Sequence, residues 1–317
     1  MNTTNQTNTP AGVEKKAVTF KSNGLTIAGM LYLPSDFHQP GKLRPAVVVG
    51  HPGAGVKEQA SGLYAGLLAE KGYVALAFDA AYQGESEGFP RNYEDPAQRT
   101  EDIKAAVTCL SSTSEIDSER IGVLGICASG GYGVTAAATD HRIKVLATVS
   151  AAGIGHQLRK GGDGLQSPEV IQTLLNYAKM DRINVAEGRE PGEFPIFPAS
   201  SEEARALGEH VYEGWEYYCT ERGFHPRSAK TFTWKSVELA AGFDAFRFAE
   251  MIAPRPLLMI AGSEAKTLWM TQEAMENAQS PKELVIIDGA THVDLYDKME
   301  FVAPAVTRIV EFYDSNL

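Results

Sequence analysis

Cysteine is scarce in this chain: three in 317 residues, at Cys109, Cys127 and Cys219. Three scattered thiols are too few for a disulfide framework or a metal knuckle. An odd count fits a reducing compartment, so a cytoplasmic location is expected. No run is long and apolar enough to cross a bilayer. Residues 1–16 are polar, lack the apolar centre of a secretory signal, and read as a disordered tail. Positive charge is in deficit: 29 Lys and Arg against 40 Asp and Glu, a formal net charge of −11. With no basic stripe, neither nucleic acid nor a membrane is expected as a partner. No metal-ligand cluster, dinucleotide fingerprint or phosphate loop is visible, so no cofactor is expected. What remains is ordinary globular material, 44% hydrophobic and 22% charged. That is enough to bury a full core.

The informative stretch runs from Ile121 to Gly131. It begins as a short apolar run, Ile121-Gly122-Val123-Leu124, in the manner of a fully buried strand. It then turns through Gly125-Ile126-Cys127-Ala128-Ser129-Gly130-Gly131 into a helix of small residues. A strand that breaks into a helix with a nucleophile at the bend is the elbow of α/β-hydrolases. The crowded backbone there needs small residues two before and two after the nucleophile, and Gly125 and Ser129 meet that need around Cys127. The helix N-terminus pointing at the bend favours a thiolate. Ser129 fits the same spacing, flanked by Cys127 and Gly131. The short distance from the strand favours Cys127, because Ser129 would already lie inside the helix. A buried structural cysteine in an ordinary turn is the bland alternative.

Around the elbow, strands and helices alternate, which predicts a mostly parallel, doubly wound sheet. Asn23-Gly24 between two strand-like runs predicts an antiparallel hairpin at the start. Residues 43–50, 73–79, 143–150, 255–262 and 284–288 read as strands. Residues 59–71, 95–110, 271–278 and 301–313 read as helices. From 151 to 248 proline, glycine and charge rise, and two helices are expected at 168–179 and 201–219. The predicted fold is therefore an α/β-hydrolase core, 17–150 and 249–317, with a helical lid inserted at 151–248. Aromatics of the second lid helix either line a pocket, Trp215 being the candidate for substrate binding, or seat the helix on the body.

The remaining catalytic groups follow from chain order, which in this fold is nucleophile, acid, base. His292 follows the last strand in a tight Gly-Ala-Thr loop and is the expected base, whereas His51 precedes the nucleophile and reads as structural. The acid belongs after the strand that ends at Gly262. No Asp lies there. Glu264 is the carboxylate in place, with Asp294 as rival. Asp79, on the wrong side of the nucleophile, reads as a carboxylate that fixes a loop. The loop His51-Pro52-Gly53-Ala54-Gly55 can supply an oxyanion donor. The backbone N–H groups of Gly53 and Ala128 are the expected pair, each such donor typically contributing ~3 kcal/mol.

The elbow, the loop from His51 to Gly55, and Gly289-Ala290-Thr291-His292-Val293-Asp294-Leu295-Tyr296-Asp297 resemble the dienelactone-hydrolase-related α/β-hydrolases. The resemblance is closest to the bacterial and fungal branch with polyketide-transferase-like proteins, and it spans residue 17 to the C-terminus. It implies a cofactor-free Cys-His-acid triad acting on small lactones or esters. The missing Asp after Gly262 departs from the pattern. The expected function is hydrolysis of carboxylic ester, lactone or thioester bonds through a covalent acyl-enzyme, with a small-molecule acyl substrate as partner and homodimerisation left open. Two other readings stay open: an acyltransferase using the same thiol, and a hydrolase-fold protein that only binds a ligand.

Overall fold

A computed structural model describes residues 12–317. Its strands are β1 (Glu14–Ser22), β2 (Leu25–Leu33), β3 (Arg44–Gly50), β4 (Val74–Phe78), β5 (Ile116–Ile126), β6 (Val145–Val149), β7 (Glu193–Pro195), β8 (Thr231–Thr233), β9 (Leu257–Gly262) and β10 (Lys282–Ile287). Helices of the body are α1 (Ala60–Glu70), α2 (Pro96–Ser111) and α3 (Ala128–Thr139). Between β6 and β9 lie α4 (Ile154–Lys160), α5 (Pro168–Ala186), α6 (Ser201–Ala206), α7 (Glu209–Cys219) and α8 (Trp234–Ala241). The chain closes with α9 (Leu268–Asn277), α10 (Asp294–Asp297) and α11 (Met299–Asn316).

Eight strands form one sheet in the order β1-β2-β4-β3-β5-β6-β9-β10. β1 and β2 run antiparallel to their neighbours, and the other pairings are parallel. This is the α/β-hydrolase fold. Alternation along the central strands sends side chains to opposite faces. Val48 and Val123 pack with Ile103, Leu110 and Met270 on one side, and Val47, Val49 and Leu124 pack with Tyr64, Leu68 and Ile309 on the other. Val47, Val48 and Val49 are fully buried. Each such side chain contributes about 1.5–3 kcal/mol by its burial.

Several boundaries differ from the sequence reading: β5 begins at Ile116, the helix expected at 168–179 runs on to Ala186, and α4 and α8 were not expected. The polar tail was expected to reach residue 16, but β1 begins at Glu14, where Glu14–Lys16 pair with Leu31–Leu33. Backbone hydrogen bonding holds this edge segment in place, and its side chains stay exposed; apolar periodicity carries no signal for that. The rest of the expected tail, residues 1–11, lies outside the described residues. The single helix expected at 201–219 is two, α6 and α7, parted at Gly208. The stretch between β6 and β9 also contains a small antiparallel pair, β7 with β8. Three-residue strands are too short to show a period of two. Among the described residues no helix is long and apolar enough to cross a membrane.

Candidate active site

In a parallel sheet the carboxyl ends of all strands open on one edge, where ligands bind. Here β3, β5, β9 and β10 end on that edge, with β6 between β5 and β9, and deliver the loops that carry Gly53, Cys127, Thr267 and His292. Cys127 caps α3 with φ 55° and ψ −118°. A non-glycine residue in that region is strained and persists only where its surroundings hold it. Three backbone bonds do so: Cys127 N–H donates to Val149, and the Cys127 carbonyl accepts from Gly130 and Ala152. The tightness explains Gly125, where a Cβ would lie 2.2 Å from the Ser129 carbonyl oxygen.

Ser129 sits inside α3 and is buried. Its hydroxyl donates to the His51 carbonyl at 2.6 Å and accepts from Arg99 at 3.2 Å. It braces the first turn of the helix against the β3 loop and is not among the residues that line the cavity around Cys127. His51 is equally occupied. One ring nitrogen faces the Pro52 carbonyl at 2.6 Å, and the other accepts from Ala80 N–H at 3.0 Å. Asp79 holds the same region from below. Its carboxylate accepts from the Lys57 backbone and ammonium, at 2.8 and 2.7 Å, and from Glu85 N–H at 2.9 Å.

The Cys127 side chain lines a cavity of about 150 Å³ together with Gly53, His210, Tyr218, His292 and Tyr296. The backbone N–H groups of Ala128 and Gly53 and the Tyr296 hydroxyl lie near enough to its sulfur to favour the thiolate. Burial pushes the thiol above its ordinary range, against the pull of these three donors. His292 is buried, with its Nε2 3.0 Å from the Tyr296 hydroxyl and its Nδ1 2.5 Å from Thr267 Oγ1. Burial, and then the facing His210, push the imidazole down to about 3, with Glu213 opposing. Burial therefore favours the neutral form of both thiol and imidazole, and the Tyr296 hydroxyl stands beside the imidazole.

The expected acid needs correction. Glu264 is exposed, and its carboxylate lies near Ser263 rather than His292. The loop after β9 folds so that Thr267, three residues on, meets Nδ1 instead. The rival Asp294 is drawn elsewhere, to Lys298 at 2.7 Å, Arg222 at 3.4 Å and Thr291 N–H at 3.3 Å. The carboxylate that electrostatically opposes the drop at His292 is Glu213, on α7. Trp215 also needs correction. It stacks on Tyr212 at 6.3 Å and does not line the cavity. The face of α7 turned inward carries His210, Val211, Gly214 and Tyr218, and Trp215 lies one position out of that phase.

Tyr296, Thr267, His210 and Glu213 were missed from the sequence. Tyr296 follows His292 by four residues, a spacing that stacks side chains on one helical face. His210 and Glu213 stand three apart on a helix whose aromatics had drawn attention instead. Thr267 carries no signal of its own, since a hydroxyl is a common loop residue.

Comparison with known proteins places the chain. The dienelactone hydrolase family profile matches residues 27–176. The uncharacterized protein YcjY of Escherichia coli (strain K12) is 38% identical over 296 residues, 92% of this chain and 95% of that one. The solved structure of the hypothetical protein PA2218 from Pseudomonas aeruginosa superposes with a TM-score of 0.89 at 37% identity, covering 98% of this chain and 95% of that one. The α/β hydrolase GrgF from Penicillium shares the fold, with a TM-score of 0.81 at 23% identity over 96% and 99% of the two chains. Its sequence bears the name polyketide transferase. Further relatives are named thiohydrolase and acyltransferase, which gives the coarse activity: an enzyme of hydrolase or acyltransferase type. The chain belongs to the dienelactone hydrolase family of α/β-hydrolases, in the branch that includes the polyketide-transferase-like proteins.

Proposed function

We propose that this protein is a cofactor-free hydrolase of carboxylic ester, lactone or thioester bonds, working through an acyl group carried on Cys127. The observation that carries the reading is one cavity lined by Cys127, Gly53, Ala128, Tyr296 and His292, with the Tyr296 hydroxyl 3.0 Å from the buried imidazole. The amides of Gly53 and Ala128 are where an oxyanion would be held. Their preorganisation stabilises developing negative charge without reorganisation during the reaction. The thiol proton passes through the Tyr296 hydroxyl to His292 Nε2 as sulfur attacks the carbonyl carbon. Thr267 holds Nδ1 and so orients the ring, the part usually given to the acid. The tetrahedral intermediate then collapses, the leaving oxygen or sulfur takes the proton from His292, and the acyl group remains on Cys127. Water discharges it. The three free thiols fit a reducing, cytoplasmic setting, where such a nucleophile persists.

A second reading, acyl transfer to another nucleophile, draws support from the cover that α7 places over the cavity and from the name of the Penicillium relative. Chromogenic acyl esters and thioesters test the first reading. Turnover should vanish in Cys127→Ala, and iodoacetamide should label Cys127 and leave Ser129 untouched. Undiminished turnover in Cys127→Ala would reject the thiol. Transfer to an added alcohol that outruns hydrolysis would choose the second reading.

A further inference from the structure

The acyl group must leave Cys127 as well as reach it, and the residues assigned so far are badly placed for that half of the reaction. Both ring nitrogens of His292 are engaged, one by Thr267 and one by Tyr296. An incoming acceptor meets a nitrogen there only by way of the Tyr296 hydroxyl or after displacing it.

A second imidazole faces the same cavity. His210, in the first turn of α7, lines it and lies edge-on to His292 with ring centroids 5.1 Å apart. Its Nδ1 is 2.8 Å from the Glu213 carboxylate. Glu213 is itself buried and fixed by a 3.1 Å bond from Val293 N–H. With Glu213 taking Nδ1–H, the tautomer leaves Nε2 as the acceptor; among the described residues it is met by the Gln157 amide at 3.4 Å, which also lines the cavity. The ring is pinned from behind by Gly162, where a Cβ would lie 2.4 Å from His210 Cδ2. The Gly162 carbonyl is held in turn by Trp269 Nε1 at 2.9 Å. Eight residues on, Tyr218 lines the same cavity as Cys127, and its buried hydroxyl has no hydrogen-bond partner among the described residues. A buried hydroxyl is rarely left unpaired unless a ligand or water completes it.

We infer that α7 forms the acceptor subsite: His210, backed by Glu213, takes the proton of the water or alcohol that discharges the acyl group from Cys127, and the Tyr218 hydroxyl donates to a ligand oxygen. The inference rests on the acyl-Cys127 reading above. The acceptor oxygen attacks the thioester carbon as its proton moves to His210 Nε2. A carbon–oxygen bond forms, the carbon–sulfur bond breaks, and sulfur leaves as thiolate facing the amides of Gly53 and Ala128. The proton on His210 returns to sulfur, which restores the resting thiol.

Intact-protein mass spectrometry of the full chain, mixed with p-nitrophenyl butyrate with and without added 1-butanol and quenched over time, tests this. Loss of general-base help typically slows a step about 10²- to 10⁴-fold. The butyryl adduct on Cys127 should therefore accumulate in His210→Gln and discharge that much more slowly than in the wild type. Glu213→Gln should slow discharge by a smaller factor. Tyr218→Phe should keep the wild-type melting temperature, having no hydrogen bond to lose, and still slow discharge or shift the ratio of butyl butyrate to butyrate. Should His210→Gln fail to fold, the Glu213→Gln and Tyr218→Phe discharge rates decide the matter. Adducts that form and discharge at the wild-type rate in all folded variants overturn the acceptor subsite alone. Absence of any adduct on wild-type Cys127, with turnover intact in Cys127→Ala, overturns the underlying reading instead.

Discussion

Replacing Tyr296 by Phe tests the connection between sulfur and imidazole at a single atom. The aromatic ring stays, and with it the edge-to-face contacts to Tyr217 at 5.3 Å and His292 at 5.6 Å. Only the hydroxyl goes; it lies 3.0 Å from His292 Nε2, in the cavity it shares with Cys127. Its loss leaves a buried ring nitrogen unpaired, which costs about 1–3 kcal/mol of stability. The effect on chemistry should be larger. If the thiol proton travels through this hydroxyl, its removal breaks the general-base step, and acylation should slow by about 10²- to 10⁴-fold. The assay is the pre-steady-state release of p-nitrophenol, which reports acylation separately from discharge. Iodoacetamide labelling of Cys127 should slow in parallel, since both need the thiolate. An acylation rate within threefold of wild type in a variant that melts normally would refute the relay. It would mean that His292 meets the sulfur directly once the hydroxyl is out of the way.

Three further outcomes follow from the geometry. Glu264→Ala should leave kcat within about twofold of wild type, as for most exposed substitutions away from special features, whereas Thr267→Ala should lower it about tenfold or more by freeing the His292 ring; steady-state kinetics of the two variants decide between them. Because His292 is held down to about 3 when folded and titrates near 6.5 when unfolded, the unfolded chain binds the extra proton between those values. Stability should therefore be fully present above about pH 6.5 and fall as pH drops towards 3, by at most ~1.4 kcal/mol per pH unit from this group; urea midpoints across that range should fall less steeply in His292→Gln. Gly125→Ala would place a methyl 2.2 Å from the Ser129 carbonyl oxygen, backbone that cannot swing aside. It should destabilise the elbow by more than the ~1–3 kcal/mol typical of overpacking, seen as a lowered melting temperature and lost thiol labelling together.

How much of this was legible beforehand depends on the range of the interaction. The sheet was readable because Pro45–Gly50, Tyr73–Asp79 and Ile121–Leu124 are continuous apolar runs, the pattern of strands covered on both faces. The elbow was readable because its strain forces small residues close in sequence, at Gly125 and Ser129. Nucleophile and base were named from chain order, and the structure brings Cys127 and His292 to one cavity. The acid was not readable. Chain order pointed to the loop after β9, and a carboxylate there was taken for the partner. Which atom meets Nδ1 depends on how that loop lies against the one after β10, where Glu264 N–H bonds to the Ala290 carbonyl. Glu264 faces out as a result, and Thr267 faces in.

Local rules, then, were written in the chain itself: which segments become strands, where the bend must fall, and which thiol stands on it. They act between residues a few positions apart, where a backbone period or a steric limit leaves its mark on residue type. What surrounds that thiol was decided by packing between segments far apart in sequence. Tyr296 meets one nitrogen of His292, Thr267 meets the other, and α7 turns His210 and Tyr218 into the cavity that Trp215 does not line. No local pattern encodes those contacts, because a few tens of degrees in the setting of one helix exchange which side chain meets the cavity.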